Sequence, residues 1–298
     1  MKRYVGTIIL LVVAVIWGSG FVASALALNT YSPFQILALR FTLAFLILLA
    51  SNISRLSSLT WAKWRKGGLI GLFLFLAFAF QTIGLQYTSA SKNAFLTATN
   101  IVIIPFLTWF ILKRPLSWHA VIGASITLGG IGLLSLNGSL DGINFGDVLT
   151  LICAVFFALQ IFYTEYYVKQ LATWEIMLMQ MGVAALFSWL MVFIQGDLAL
   201  DLSLSALSPI IYLGLFSTLI AFGLQTYAQQ FTTSNQASLI LSTEAFFGMI
   251  AAVIILNEAL TANLLLGAVL IFCGILVVEL KPFNRGRNYQ SLDEKLKE

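Results

Sequence analysis

Two stretches, AFAFQTIGLQYT from Ala77 to Thr88 and AFGLQTYAQQFT from Ala221 to Thr232, share six of their twelve positions at a fixed offset of 144 residues. Both place a Gln beside a Thr inside apolar sequence. Extending the same offset aligns the run from Thr88 to Leu136 with the run from Thr232 to Leu280 without a gap, setting Thr99 on Thr243, Gly123 on Gly267, Ala124 on Ala268 and Gly130 on Gly274. The earlier segments align at an offset of 140, with Gly6 on Gly146, Ala14 on Ala154, Val15 on Val155 and Ile36 on Ile176. The chain is therefore a duplication.

What is duplicated is lipid-soluble. Of 298 residues, 60% are hydrophobic and 9% charged, against about 45–50% and about 25% for soluble domains. A helical crossing of the bilayer core needs about 20 mostly apolar residues, and ten such runs follow one another. They are Val5 to Leu28, Pro33 to Ser51, Gly67 to Tyr87, Ser89 to Leu112, Leu116 to Leu136, Gly146 to Val168, Trp174 to Gln195, Pro209 to Gln230, Ser234 to Leu256, and Thr261 to Leu280. Each half then holds five crossings, an odd number, so the second half must enter the membrane from the opposite side. The expected fold is all-α and integral to the membrane, with ten transmembrane helices as two inverted five-helix repeats. Residues 1–137 form the first repeat, 138–280 the second, and 281–298 a tail. Inverted repeats are a recurrent plan of secondary transporters, whose solute site lies near mid-bilayer between the halves.

Charge sets the orientation. Placing the amino terminus in the cytoplasm puts fourteen of the 16 Lys and Arg residues on one side, with Arg40 and Lys92 the exceptions. Asp141, Asp147, Asp197 and Asp201 fall on the other side, so the inward bias of basic residues is strong. Both termini are then cytoplasmic and the protein sits in a plasma membrane. Lys2 and Arg3 ahead of an apolar run ending in ASALA also resemble a signal peptide, but cleavage would leave the segment from Gly146 without its repeat partner.

Other chemistries are poorly served. Cys153 and Cys273 both lie in apolar runs, His119 is the one histidine, and neither zinc-type spacing nor a phosphate-cradling glycine loop is present. No cofactor, metal or nucleic acid is expected.

The motifs WGSGFVAS at 17–24, SPFQILALRF at 32–41 and YTSASKNAFL at 87–96, with the duplicated helix pairs, resemble the EamA family of the drug/metabolite transporter superfamily. The resemblance runs from Gly6 to Leu280. It implies ten helices in two inverted repeats and a cavity lined chiefly by helices one, three, four, six, eight and nine. It also implies transport, mostly outward, of amino acids, other small metabolites or amphipathic drugs. One departure stands out: the acidic residue expected after each fourth-helix equivalent is Glu258 in LNEAL, but the first half reads LKRPL with Arg114 in its place.

Candidate solute-binding residues are the polar and aromatic side chains that such a chain places in mid-membrane: Trp17, Gln81, Thr97, Asn100, Gln160, Tyr163, Gln225, Tyr227 and Glu244. An ionised carboxylate at mid-helix costs about 2.5–3.5 kcal/mol on insertion scales, so Glu244 either faces a cavity, and then carries solute or a proton, or stays protonated against a neighbouring hydroxyl. Its repeat mate is Asn100. Asn93, Thr97, Asn100, Ile104 and Thr108 share one helix face, and the corresponding Ala237, Leu241, Glu244, Gly248 and Ala252 are small except for the carboxyl. Gln81 and Gln225, with Thr82 and Thr226, hydrogen-bond a solute or act as interhelical glue. Trp17, beside Gly18, Ser19 and Gly20, is a flat platform next to an approachable backbone, or a packed ring.

Gln86 and Gln230 read as interfacial, as does Lys92. Arg40 either snorkels, pairs with a carbonyl or touches solute, and Glu165 pairs with Lys169 one turn on. Pro105 is expected to bend the fourth helix. Gly123 with Gly130, and Gly267 with Gly274, are spaced to pack helices closely.

The function expected is a secondary transporter, not an enzyme. It would move an amino acid-like, amphipathic or cationic solute outward by alternating access, with a proton or counter-substrate as coupling partner and a homodimer left open. An intramembrane enzyme lacks a nucleophile–base pair, paired carboxylates or metal ligands. A non-transporting scaffold or receptor would show a dry, sealed interface between the halves.

Overall fold

The computed structural model describes residues 2–113, 118–135 and 144–279. Its elements are α1 (Lys2–Ala27), α2 (Pro33–Ser51), a 3-10 turn (Ile53–Ser58), α3 (Trp61–Leu85), α4 (Ala90–Ala98), α5 (Asn100–Leu112), α6 (Trp118–Ser135), α7 (Phe145–Tyr167) and α8 (Thr173–Gln195). There follow α9 (Leu204–Tyr212), a π-helical stretch (Leu213–Ile220), α10 (Ala221–Ala228), α11 (Ser234–Leu241), α12 (Glu244–Leu256) and α13 (Ala262–Glu279). Every described element is helical. Among the described residues eight helical runs are long and apolar enough to cross a membrane, and Val121–Leu133 and Ala262–Val277 are shorter apolar helices. The chain is thus a multi-pass membrane protein. Its exposed leucines, isoleucines and phenylalanines, such as Ile8, Leu46, Leu186, Phe193 and Ile254, are the surface expected of a protein bathed in lipid.

Helix starts follow the local sequence. Ser32 caps α2 in a box with Gln35, Thr60 caps α3, Ser89 caps α4, and Asn144 with Asp147 box the start of α7. Each supplies acceptors for backbone N–H groups that the first turn leaves unbonded.

Three expected crossings are interrupted. The fourth divides at Thr99 and the ninth at Ser242–Thr243, where i→i+3 bonds such as Val102 N to Thr99 O and Phe246 N to Thr243 O tighten the turn. The Thr99 and Thr243 hydroxyls bond back to Leu96 O and Ile240 O. Pro105 lies inside α5, so the interruption comes six residues before the position where a bend was expected. The eighth crossing is interrupted by the π-helical stretch, which ends with Ala221 N–H bonded to Phe216 O, five residues back.

Small residues set the close crossings. α3 packs along α7, where a Cβ on Gly84 would lie 2.9 Å from Gly146 O and one on Gly146 2.6 Å from Gly84 O. α6 lies along α13, where a Cβ on Gly130 would lie 2.8 Å from Gly267 O and one on Gly274 2.6 Å from Gly123 O. This is the glycine packing that the spacing led one to expect. α2 packs on α8, α1 on α12, α3 on α8, and the π-helical stretch on α2. The close backbone approach that these glycines permit gives dispersion and weak polar contacts without requiring hydrophobic burial, which lipid does not reward.

Candidate functional site

Near the middle of the helices Trp17, Gly20, Phe21 and Ser24 of α1 meet Arg40, Phe78, Gln81, Thr82, Asn100, Phe157, Gln160, Ser217, Leu241 and Glu244 around one cavity. The cavity has a volume of about 30 Å³. The cavity is drawn in around room for one or two waters.

Glu244 opens α12 and is 5% exposed. The break at Thr243 places it in the first turn of α12, whose N–H groups at Ala245, Phe246 and Phe247 bond back across the break to Ser242 and Thr243. Among the described residues no hydrogen bond or ion pair reaches its carboxyl. Asn100 occupies the matching first turn of α5, and its Oδ1 is buried without a hydrogen-bond partner. Gln160 donates to Thr164 Oγ1 at 3.2 Å and to Gln180 Oε1 at 3.3 Å, while its own Oε1 accepts nothing. Gln81 donates to Thr97 Oγ1 at 3.1 Å, and Asn93 donates to Gln81 O and Thr150 Oγ1. Trp17 presents its ring to the cavity and is fixed by an indole N–H bond to Ser217 O at 2.9 Å and by Phe222, 4.8 Å between ring centres.

Five candidate residues therefore line the cavity: Trp17, Gln81, Asn100, Gln160 and Glu244. Thr97 lies behind Gln81, with Cys153 on its other side at 3.8 Å. Tyr163 stands apart, stacked on Phe73 and Tyr167. Tyr227 is 44% exposed beside Phe231 and points away from the cavity. Gln225 is fully buried, does not line the cavity, and has neither amide atom hydrogen-bonded. The repeated Gln81 and Gln225 have different surroundings. The π-helical stretch precedes Gln225 and has no counterpart before Gln81, and its wider turns rotate the face that α10 presents.

Several side chains outside the candidate set make long-range contacts that the sequence did not show. Lys92 is buried rather than interfacial, in an ion pair with Asp147 at 2.7 Å to which Thr88 adds a hydrogen bond. Glu165 accepts from Ser234 N–H at 2.7 Å and from its hydroxyl, tying the end of α7 to the start of α11. Glu258 does the same at the other end of the molecule, accepting from Ala90 N–H at 2.7 Å and Ser91 N–H at 3.2 Å at the start of α4. Its repeat mate Arg114 lies outside the described residues. Gln86 and Gln230 are exposed, as expected of interfacial residues. The largest surprise is Arg40. It is 1% exposed and lines the cavity, with Nε donating to Thr218 Oγ1 at 2.8 Å, Nη2 to Ser217 Oγ at 3.2 Å, and the guanidinium 4.3 Å from the Phe78 ring centre. An Arg in the middle of SPFQILALRF was the available signal; its partners, about 180 residues on, were not readable.

A buried cavity with a few convergent polar groups, inside a bundle of membrane-spanning helices, defines a membrane protein built to receive a small solute. The model of the EamA-like transporter family matches twice, over residues 4–136 and 144–280, and the chain belongs to that family. A relative from Archaeoglobus fulgidus named as an uncharacterized transporter is 32% identical over 94% of this chain and 88% of its own. The transporter YvbV of Bacillus subtilis, also named as uncharacterized, is 25% identical over 92% of this chain and 91% of its own. A solved crystal structure shares the fold, with a TM-score of 0.68 at 20% identity over 93% of this chain and 97% of its own.

Proposed function

We propose that the protein is a secondary transporter that carries a small organic solute through the central cavity by alternating access. The solute is amino acid-like, amphipathic or cationic. The cavity carries this reading: a carboxyl midway along the ninth crossing, three buried amides and an aromatic wall converge where a transporter of this architecture would hold its cargo. Ten crossings in two inverted repeats are the matching architecture. In its support, exchanging each helix for its repeat mate turns the α3–α7 contact into α1–α10, and α3–α8 into α2 with the π-helical stretch. Lys113 and Asn257, 144 residues apart, both end a helix in the left-handed conformation at φ 54°. The distribution of Lys and Arg supports cytoplasmic termini in a plasma membrane, and outward transport follows the family resemblance.

Two interruptions at Thr99 and Thr243 support a moving part, because a helix already broken at mid-length can change angle there. The unbonded amide oxygens of Gln160 on α7 at the cavity, Gln225 on α10 and Gln229 just past its end form a series toward the face where α1 begins. Buried polar groups without partners are costly, and they would be wetted when that side opens.

The test compares, by untargeted mass spectrometry, the medium of cells making the wild type with that of cells making Glu244→Gln at equal membrane abundance. A compound enriched only with the wild type identifies cargo and ties the carboxyl to its export. If neither differs from empty-vector cells and reconstituted vesicles take up nothing from a metabolite mixture, the transporter reading falls.

A further inference from the structure

We propose that Arg40, held by Ser217 and Thr218, is the anion anchor of the central cavity. The solute is then a zwitterion whose acidic group sits against Arg40 while its cationic group faces Glu244. This rests on the transporter reading and selects one of its solute classes against the others, simple cations included.

Arg40 is a buried charge without a countercharge. Among the described residues no ion pair reaches Arg40, in contrast to Lys63 on Glu175 and Lys92 on Asp147. The guanidinium has five N–H donors, and the two hydroxyls occupy two of them. Hydroxyls and the Phe78 face soften the burial but bring no negative charge, and a buried ion normally requires a partner. A planar fork with donors to spare is the group best shaped to receive a carboxylate with two parallel bonds.

A complementary deficit lines the same cavity. Asn100 Oδ1 and Gln160 Oε1 are buried acceptors that receive no hydrogen bond, and the Glu244 carboxyl lines the same cavity with no ion-pair partner among the described residues. They suit an ammonium group, which offers three donors and a positive charge. Arg40 and Glu244 do not pair with each other, although both line the cavity. An inorganic anion would complete only the Arg40 end and a simple cation only the Glu244 end. One molecule bearing both groups completes both and adds no net charge to a low-dielectric site. Between the poles Trp17, Phe21, Phe78 and Phe157 offer apolar walls for the rest of the solute.

The backbone is arranged to hold the anchor. Successive residues of an α-helix point about 100° apart, yet neighbouring Ser217 and Thr218 both reach one guanidinium. They do so from the π-helical stretch, a form that recurs at functional sites, and the Trp17 indole bonded to Ser217 O fixes that stretch against α1. An arginine present only to pin the stretch would have the same two bonds, so the test must read solute chemistry.

Purified protein in proteoliposomes is assayed for uptake of leucine, leucinamide, 3-methylbutylamine and 4-methylpentanoate, a set that deletes the acidic group, the cationic group or neither. Wild type, Arg40→Gln and Arg40→Lys are compared, with thermal unfolding as the check on folding. The wild type is expected to prefer leucine over each analogue by at least about tenfold, since a site built for a group rejects molecules lacking it. Arg40→Gln should lose its preference for leucine over leucinamide, and Arg40→Lys should keep part of it. Equal wild-type uptake of leucine and leucinamide, or an Arg40→Gln protein that keeps the tenfold preference, overturns the anchor. Should Arg40→Gln fail to fold, the wild-type ratio alone decides. Uptake confined to solutes without an acidic group overturns the anchor and leaves the transporter standing, whereas no uptake of any organic solute removes both.

Discussion

Gly18 lies against the backbone of Glu244: a Cβ on Gly18 would stand 2.9 Å from the Glu244 carbonyl oxygen and 2.8 Å from Gly248 N. The position of the cavity carboxyl is therefore set by the absence of a side chain on the facing helix. Gly18→Ala must push α12 away from α1, and overpacking of this kind costs about 1–3 kcal/mol. The expected result is a lower unfolding temperature in detergent together with lost transport. Gly129→Ala, which meets nothing within 4 Å, should change neither, and an unaffected Gly18→Ala would show that the crossing yields easily.

Lys92 and Asp147 form a buried pair at 2.7 Å. Removing one partner leaves an uncompensated charge, which costs about 3–5 kcal/mol in buried pairs. Lys92→Met is expected to unfold at a clearly lower temperature than wild type, and Lys92→Met with Asp147→Asn to recover most of the difference. A double variant no better than the single would place Lys92's contribution elsewhere.

Glu244→Gln keeps the size of the side chain and removes its ability to ionise. If the carboxyl carries the coupling proton, uptake driven by a pH gradient across proteoliposomes should vanish in this variant while solute exchange continues. Full gradient-driven uptake in the variant dismisses the proton role.

Glu165 and Glu258 fasten opposite ends of the molecule, one holding α11 to α7 and the other holding α4 to the α12–α13 turn. Loss of a charge-assisted hydrogen bond is worth about 1.5–3 kcal/mol, roughly tenfold or more in an equilibrium. A cysteine at Gln225, with Cys153 and Cys273 replaced, reports opening on the face where α1 begins. Glu165→Gln should raise its labelling by a thiol reagent several-fold, and Glu258→Gln should lower it. Equal effects from the two would mean that neither contact governs which side opens.

How far these features could be read in advance depended on the distance over which their cause acts. Glu244 was legible because a carboxyl among lipid-soluble residues must be accounted for wherever it lies, and the glycines of α6 and α13 because their spacing is local. Lys92 was misread because Asp147, its partner, is 55 residues away, and a lysine three residues into a helix looks interfacial. Gln225 was placed by its repeat relation to Gln81, and Tyr227 as an aromatic in mid-membrane. No sequence signal marked Leu213–Ile220 as π-helical, a feature that the repeat mate before Gln81 does not share. Arg40 was seen, but its meaning rested on Ser217 and Thr218 in that same stretch.

If Arg40 anchors the solute, the π-helical stretch makes chain length a determinant of specificity. A π turn is an α turn holding one residue more, so deleting a single residue between Leu213 and Ile220 would leave a continuous helix and turn α9 relative to α10. Ser217 and Thr218 could then no longer both meet Arg40, although every wall residue outside the stretch would be unchanged. Among relatives that keep the arginine, those one residue shorter here would carry different cargo, a divergence invisible to comparison of the cavity residues alone.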